Sequence, residues 1–241
     1  MDDTFLSLRD VTVRHPGSTI DALDDITFDL SRGEVLAVLG SSGSGKTTLL
    51  RLIAGLVPVV SGSVELDGVD ITATPTHTRG VGLMFQDHAL FPHLDVGENV
   101  AFGLKMAGVA RSIRSERVRE MLELVGLGGF ERRAISTLSG GERQRVALAR
   151  TVAPSPRVLL LDEPMGSLDR VLRDRLVPEL GELIAAMGLT AIHVTHDRSE
   201  AFALGDRIAV MDEGRIVQID SPEQIQRTPV SAHVAALLGH E

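Results

Sequence analysis

The sequence contains no cysteine, tyrosine or tryptophan, and only two lysines among its 241 residues. Without cysteine there are no disulfides and no thiolate chemistry, which fits a reducing compartment. No window approaches the roughly 18 uninterrupted apolar residues of a membrane-spanning helix. The N-terminal MDDTFLSLRD lacks the basic start and apolar stretch of a signal peptide. If the protein works at a membrane, other chains are expected to cross it. Positive charge is also scarce: 24 Lys and Arg against 33 Asp and Glu give a net charge of -9, which argues against general affinity for nucleic acid. Internal repeats, low-complexity tracts and linkers are lacking as well. What remains is 43% hydrophobic, enough for a substantial core in one domain.

The patterning changes along the chain. LSLRDVTV and ITFDL alternate like half-buried strands of an antiparallel layer, whereas VLAVL at 35–39 is apolar throughout, the mark of a strand covered on both faces. LLRLIAGL predicts a helix ending near Gly55, and SVELDGVDI a hairpin turning at Asp67 and Gly68. VGLMF at 81–85, VLLL at 158–161 and TAIHVT at 190–195 read as further strands. Between about 95 and 155 the texture is helical, with Val118, Met121, Leu122 and Val125 on one stripe and Gly126 as a stop. DRIAVM and GRIVQI flank a turn, and Ser221, Pro222 and Gln224 predict a capped, boxed helix start. The expectation is one α/β domain over 1–241, with a mainly parallel sheet, an N-terminal antiparallel β layer and an inserted helical subdomain.

After VLAVL comes GSSGSGKTT, residues 40–48. Glycines at 40, 43 and 45 let the backbone fold tightly with its amides inward, and the helix that follows adds the positive end of its dipole. The segment matches GxxxxGK[ST] in its required setting between strand and helix. Gly40, Ser41, Ser42, Gly43, Ser44, Gly45, Lys46, Thr47 and Thr48 are therefore the expected contacts to a nucleoside triphosphate, which leaves kinases and several ATPase classes open. Lys46 reaches the β and γ phosphates, and the Thr47 hydroxyl supplies a Mg2+ ligand. The spacing differs from a dinucleotide fingerprint, and GxSxG, HExxH and NKxD motifs are missing, which removes serine hydrolase, zinc peptidase and GTPase readings.

RVLLLDEP at 157–164 ends a buried strand on two carboxylates. Asp162 is placed to hold Mg2+ and Glu163 to orient or deprotonate an attacking water; the alternative is an ordinary solvated strand end. In LSGGERQRVALAR, Ser139 and Glu142 form a capping box, while Gly140 and Gly141 leave the first amides uncovered. That makes a second anion site, or simply a capped helix.

Taken together, these segments resemble the ATP-binding subunit of an ABC transporter, with LSGGE in place of the signature LSGGQ. The resemblance spans nearly the whole chain. It implies that Ser139, Gly140, Gly141 and Glu142 close on ATP held by a second subunit, so that a homodimer, or a pair with a similar subunit, is the active species. It further implies that Gln86 is a Mg2+ and water contact, that Asp169 in SLD bridges the subunits, and that His196 in VTHD contacts the γ phosphate. Glu163, His196 and Gln86 are then the catalytic residues, and Thr47, Gln86 and Asp162 the Mg2+ set. His193 is read as structural, and His88 and His93 lack a ligand set, so no other metal is expected.

Where the family commonly stacks an aromatic on adenine, RHPG places His15, either a base contact or a plain turn residue. HALFPHLDVGENVAFGL presents Ala89, Leu90 and Phe91 either to a partner's helix or to the helical subdomain. LSGGERQRVALAR, VTHDRSEAFALGDRIAVM and GRIVQIDSPEQI resemble bacterial importer subunits of the group handling polyamines, ferric iron, sulfate, thiamine or sugars. This likeness implies permease subunits, a substrate-binding protein, no nucleic acid, and a peripheral position on the cytoplasmic side of the membrane. Many such subunits carry a regulatory C-terminal domain; the sequence stops at Glu241, so regulation of that kind is not expected. An ABC exporter subunit, a soluble ABC ATPase of translation or DNA repair, and a P-loop small-molecule kinase are the competing readings.

Overall fold

The computed structural model describes residues 4–166 and 170–239. Strands β1 (Thr4–Arg14) and β2 (Asp21–Ser31) pair antiparallel, and β3 (Val35–Leu39) then leaves their layer. Helix α1 (Lys46–Ile53) follows, and Gly55, at φ 76°, ends its last turn. β4 (Ser61–Leu66) returns to the free edge of β1 and pairs with the short β5 (Val69–Asp70), giving the order β2-β1-β4-β5. Asp67 and Gly68 turn at φ 56° and 72°, the left-handed pair that a tight hairpin needs.

The second sheet is built from β3 and the strands that follow. β6 (Val81–Met84) leads into helices α2 (Val96–Met106), α3 (Arg111–Leu124) and α4 (Gly140–Val152), after which β7 (Val158–Asp162) pairs parallel with β6. The three helices are thus a long excursion between two neighbouring strands. α5 (Arg170–Ala186), β8 (Thr190–Thr195), α6 (Arg198–Leu204) and β9 (Arg207–Asp212) complete the parallel part. β10 (Arg215–Asp220) turns back antiparallel, and the helices α7 (Pro222–Arg227) and α8 (Ala232–Leu237) follow. The order is β10-β9-β3-β8-β7-β6, so β8 lies between the two strands whose ends carry the phosphate loop and the acidic pair.

Alternate residues of the parallel strands serve different cores, as the two-residue period demands. Leu36, Val38, Val158, Leu160 and Ile192 pack toward the antiparallel layer and α1. Leu159, Leu161 and Ala191 face the side of α2 to α5, where Val118, Met121, Leu122 and Val125 are also buried. Ala37 and Leu39 join Ile208, Val210, Ile225 and Val234 under the last helices. Each large apolar side chain buried in this way stabilises the fold by about 1.5–3 kcal/mol. These three cores hold the ends of β3, β7 and β8 at one edge.

One local expectation fails. Ser221 caps α7 by accepting from the Gln224 amide, but the Gln224 side chain does not reach back to complete a box. Its Nε2 donates instead to the Thr228 hydroxyl at 3.0 Å, because that residue lies one turn ahead on the same face.

Candidate functional site

The loop after β3 has no room for side chains at its critical points. A Cβ on Gly40 would lie 2.4 Å from the Met211 carbonyl oxygen and 2.6 Å from the Ser44 hydroxyl. Gly45 adopts φ 101°, and a Cβ there would meet the Ala22 carbonyl at 2.7 Å. Gly45 is also the N-cap of α1 with no side chain capping it, so the first amides of that helix stay open to an anion. The Ser44 hydroxyl is buried without a hydrogen-bond partner among the described residues, a polar atom inside the cradle that a phosphate oxygen could satisfy. From outside the loop, the turn between β9 and β10 donates the Gly214 amide to the Ser44 carbonyl at 3.1 Å.

Lys46 is buried, and its ammonium donates to the carbonyls of Gly40 and Ser41 at 2.8 Å each. Burial lowers its pKa below the ordinary lysine value, opposed by the nearby charges of Glu163 and Asp162. One residue on, the Thr47 hydroxyl donates to Asp162 Oδ1 at 3.0 Å. Burial raises the Asp162 pKa; the Thr47 hydrogen bond works against this and the charge of Glu163 adds to it. A hydroxyl and a carboxylate in contact are hard oxygen donors of the type Mg2+ takes.

Glu163 stands at φ 45°, left-handed for a residue with a Cβ, and its amide donates to Val194 of the neighbouring strand at 3.0 Å. Its Oε2 lies 3.1 Å from His196 Nδ1 and accepts from Gln86 Nε2 at 3.4 Å. Three residues expected to act together thus converge from the ends of β7, β8 and β6. Gln86 meets Glu163 and makes no hydrogen bond to Thr47 or Asp162.

The other expected contacts lie apart. Ser139 caps α4 with both halves of the box made: its hydroxyl accepts from the Glu142 amide at 3.2 Å, and Glu142 accepts from the Ser139 amide at 2.7 Å. Those bonds, chiefly the backbone one, hold the Glu142 carboxyl below its usual pKa and commit that side chain to the cap. Among the described residues, no hydrogen bond or ion pair joins Ser139, Gly140, Gly141 or Glu142 to the loop at 40–48. His15 is exposed, with Nε2 3.3 Å from the Thr48 hydroxyl. Asp169 lies outside the described residues.

The grip of Arg150 and the pairing of Glu200 with His193, itself read as structural, were not legible in the sequence. Arg150 of α4 donates to the carbonyls of His88 and Ala89 at 2.7 and 2.6 Å, gripping two successive left-handed residues just after Gln86. His193 is fully buried beside Glu200, at 3.2 Å. Leu90 packs partly against the helical core, and Phe91 lies 4.5 Å from Phe102, centroid to centroid. Beyond them a hollow of about 660 Å³ is lined by His93, Ala101, Phe102, Lys105 and Arg114. No helix among the described residues is long and apolar enough to cross a membrane.

Comparison with known proteins gives a consistent picture. The sequence profile described as ABC transporter matches residues 23–166. An Fe(3+) ions import ATP-binding protein of Streptomyces avermitilis is 56% identical over 237 residues, covering 98% of this chain and 68% of that protein. A putrescine transport ATP-binding protein of Escherichia coli K12 is 45% identical over 235 residues, covering 98% of this chain and 62% of its own length. Among solved structures, a dimeric post-hydrolysis state of an ATP-binding cassette bound to ADP and Pi is similar at TM-score 0.78 and 30% identity, over 90% of this chain and 98% of that one.

Proposed function

The chain belongs to the ABC transporter family as an ATP-binding and ATP-hydrolysing subunit of the importer type, and from that premise we propose how its residues divide the work. The observation that carries the proposal is the convergence of His196 and Gln86 on Glu163, beside the contact between Thr47 and Asp162. The amides of residues 41–48 and the Lys46 ammonium hold the triphosphate. Glu163 orients the attacking water and takes its proton, while His196 contacts the γ phosphate and Gln86 helps place the water. Thr47 and Asp162, with Gln86 as the third expected ligand, would hold Mg2+, which would supply neutralisation of phosphate charge. In-line attack needs little covalent help from protein, so positioning and fixed dipoles supply most of the acceleration.

The signature residues Ser139, Gly140 and Gly141 complete the site of a second copy, with Asp169 at the seam and Glu142 acting through the cap. His15 lies against the base. One domain spans the chain, with the helical excursion docking on permease subunits through the hollow near Phe102. The assembly sits on the cytoplasmic face of the membrane, served by a substrate-binding protein. Its cargo is a small cation of the ferric iron or putrescine kind, the cargoes for which the two relatives above are named.

Co-expression with candidate permease subunits, sought among the genes beside its own, tests this reading. A stable complex should form, hydrolyse ATP and import labelled ferric iron or putrescine into vesicles. A chain that hydrolyses ATP yet never associates with a permease contradicts it.

A further inference from the structure

Behind the segment that carries His196 lies a set of buried polar side chains with no part in the scheme above. Glu200, on α6, is 3% exposed, and His193, on β8, is fully buried. Oε2 of Glu200 accepts from the Thr195 hydroxyl at 2.8 Å and stands 3.2 Å from His193 Nε2. Its Oε1 is 3.5 Å from Nε of Arg173, on α5. A carboxylate this far from water is tolerated only with such partners in place.

Both chain neighbours of His196 are tied to this anchor. Thr195 precedes it, and the same hydroxyl that donates to Glu200 accepts from the Asp197 amide at 2.9 Å, bridging across the histidine. Asp197 follows it, capping α6 through the amides of Ser199 and Glu200 and pairing with Arg173 at 2.8 Å. The His196 side chain, in contrast, is 56% exposed and reaches Glu163. Packing does little to hold such a ring, so its direction follows from the backbone on either side.

We propose that Glu200 is a positioning residue for His196, acting through Thr195 and Asp197 to hold the backbone that aims the imidazole at the Glu163 carboxylate. This rests on the reading of His196 as a γ-phosphate contact. His193 and Arg173 flank the buried carboxylate and fix its place, and Arg173 joins the anchor to α5.

The test uses the purified full chain, with Thr195→Val, Thr195→Ser and Glu200→Gln made alone and together with His196→Ala. Thr195→Val and Glu200→Gln should each lower kcat about tenfold, with KM for ATP within about twofold, whereas Thr195→Ser, which keeps the hydroxyl, should stay near wild type. In the His196→Ala background the same changes should cost less than about twofold more, because the residue they aim is gone. Proton and nitrogen NMR of the imidazole gives a readout besides activity: the His196 signals should shift or broaden in Thr195→Val and not in Thr195→Ser. Should Glu200→Gln fail to fold, the threonine pair and the NMR signals carry the test. Equal losses in both backgrounds, or unmoved His196 signals in Thr195→Val, overturn the positioning role. Unchanged kcat in His196→Ala alone overturns the reading of His196 itself; the NMR comparison then still decides whether Glu200 holds the ring.

Discussion

The Thr47 hydroxyl donates to Asp162 Oδ1 at 3.0 Å across 115 residues of chain, joining the start of α1 to the end of β7. With β8 between β3 and β7, the contact needs a parallel sheet whose strand ends lie level, so that α1 leans across one strand to reach the next. It holds the glycine-rich loop and the acidic end of β7 in one frame.

Glu163→Gln keeps the volume and most hydrogen-bonding capacity of the side chain but cannot take a proton. Turnover should fall by about 100-fold or more while ATP affinity is retained, and the dimer should accumulate with ATP present. Steady-state hydrolysis, nucleotide binding and size-exclusion chromatography check this. Undiminished turnover would remove Glu163 from its role.

Gly40→Ala forces a Cβ against the backbone carbonyl of Met211, which cannot swing aside as a side chain would. It should cost about 1–3 kcal/mol of stability and abolish ATP binding. Gly17→Ala faces open space and suffers only from its φ of 78°, so it should cost stability alone and leave binding intact. Thermal unfolding together with nucleotide titration separates the two.

If signature and phosphate loop act across two copies, a Ser139→Ala chain and a Lys46→Ala chain are each inactive for different reasons. Mixed dimers then contain one site with both a normal loop and a normal signature. Mixing should restore measurable ATP hydrolysis above either parent. A mixture no better than its components would count against independently working composite sites.

Asp197 supplies a pH signature. Burial pushes its carboxyl up, but hydrogen bonds from the Glu200 and Ser199 amides and the pairing with Arg173 outweigh burial, so its pKa lies below the ordinary aspartate value. A depressed folded pKa means the stabilisation is complete above the unfolded value and is lost as pH falls through the folded one. Asparagine caps a helix about as well as aspartate but carries no charge. The stability difference between wild type and Asp197→Asn should therefore be largest near neutrality and shrink below about pH 4, as followed by thermal unfolding.

The legible part of this protein is local. The glycine spacing at 40–45, the box between Ser139 and Glu142, the Asp67–Gly68 turn and the buried face of α3 each depend on residues within one or two turns, where steric and hydrogen-bonding preferences act directly. Gln224 shows the limit even there: the Ser221 amide as donor and the Thr228 hydroxyl as acceptor both lay within reach of one side chain, and local pattern does not choose between them. Gln86 and His196 could be named only by resemblance, since a glutamine after one strand and a histidine after another carry no signal of their own.

Sequence by itself determined the strands, the anion-binding loop and the caps, because those follow from short-range backbone geometry and from the periodicity of apolar residues. Tertiary structure alone decided that Gln86 and His196 meet the carboxylate of Glu163, that Gly214 braces Ser44, and that Glu200 stands buried behind His196. Those meetings depend on the order in which the strands enter the sheet, and that order is settled by the packing of three cores at once.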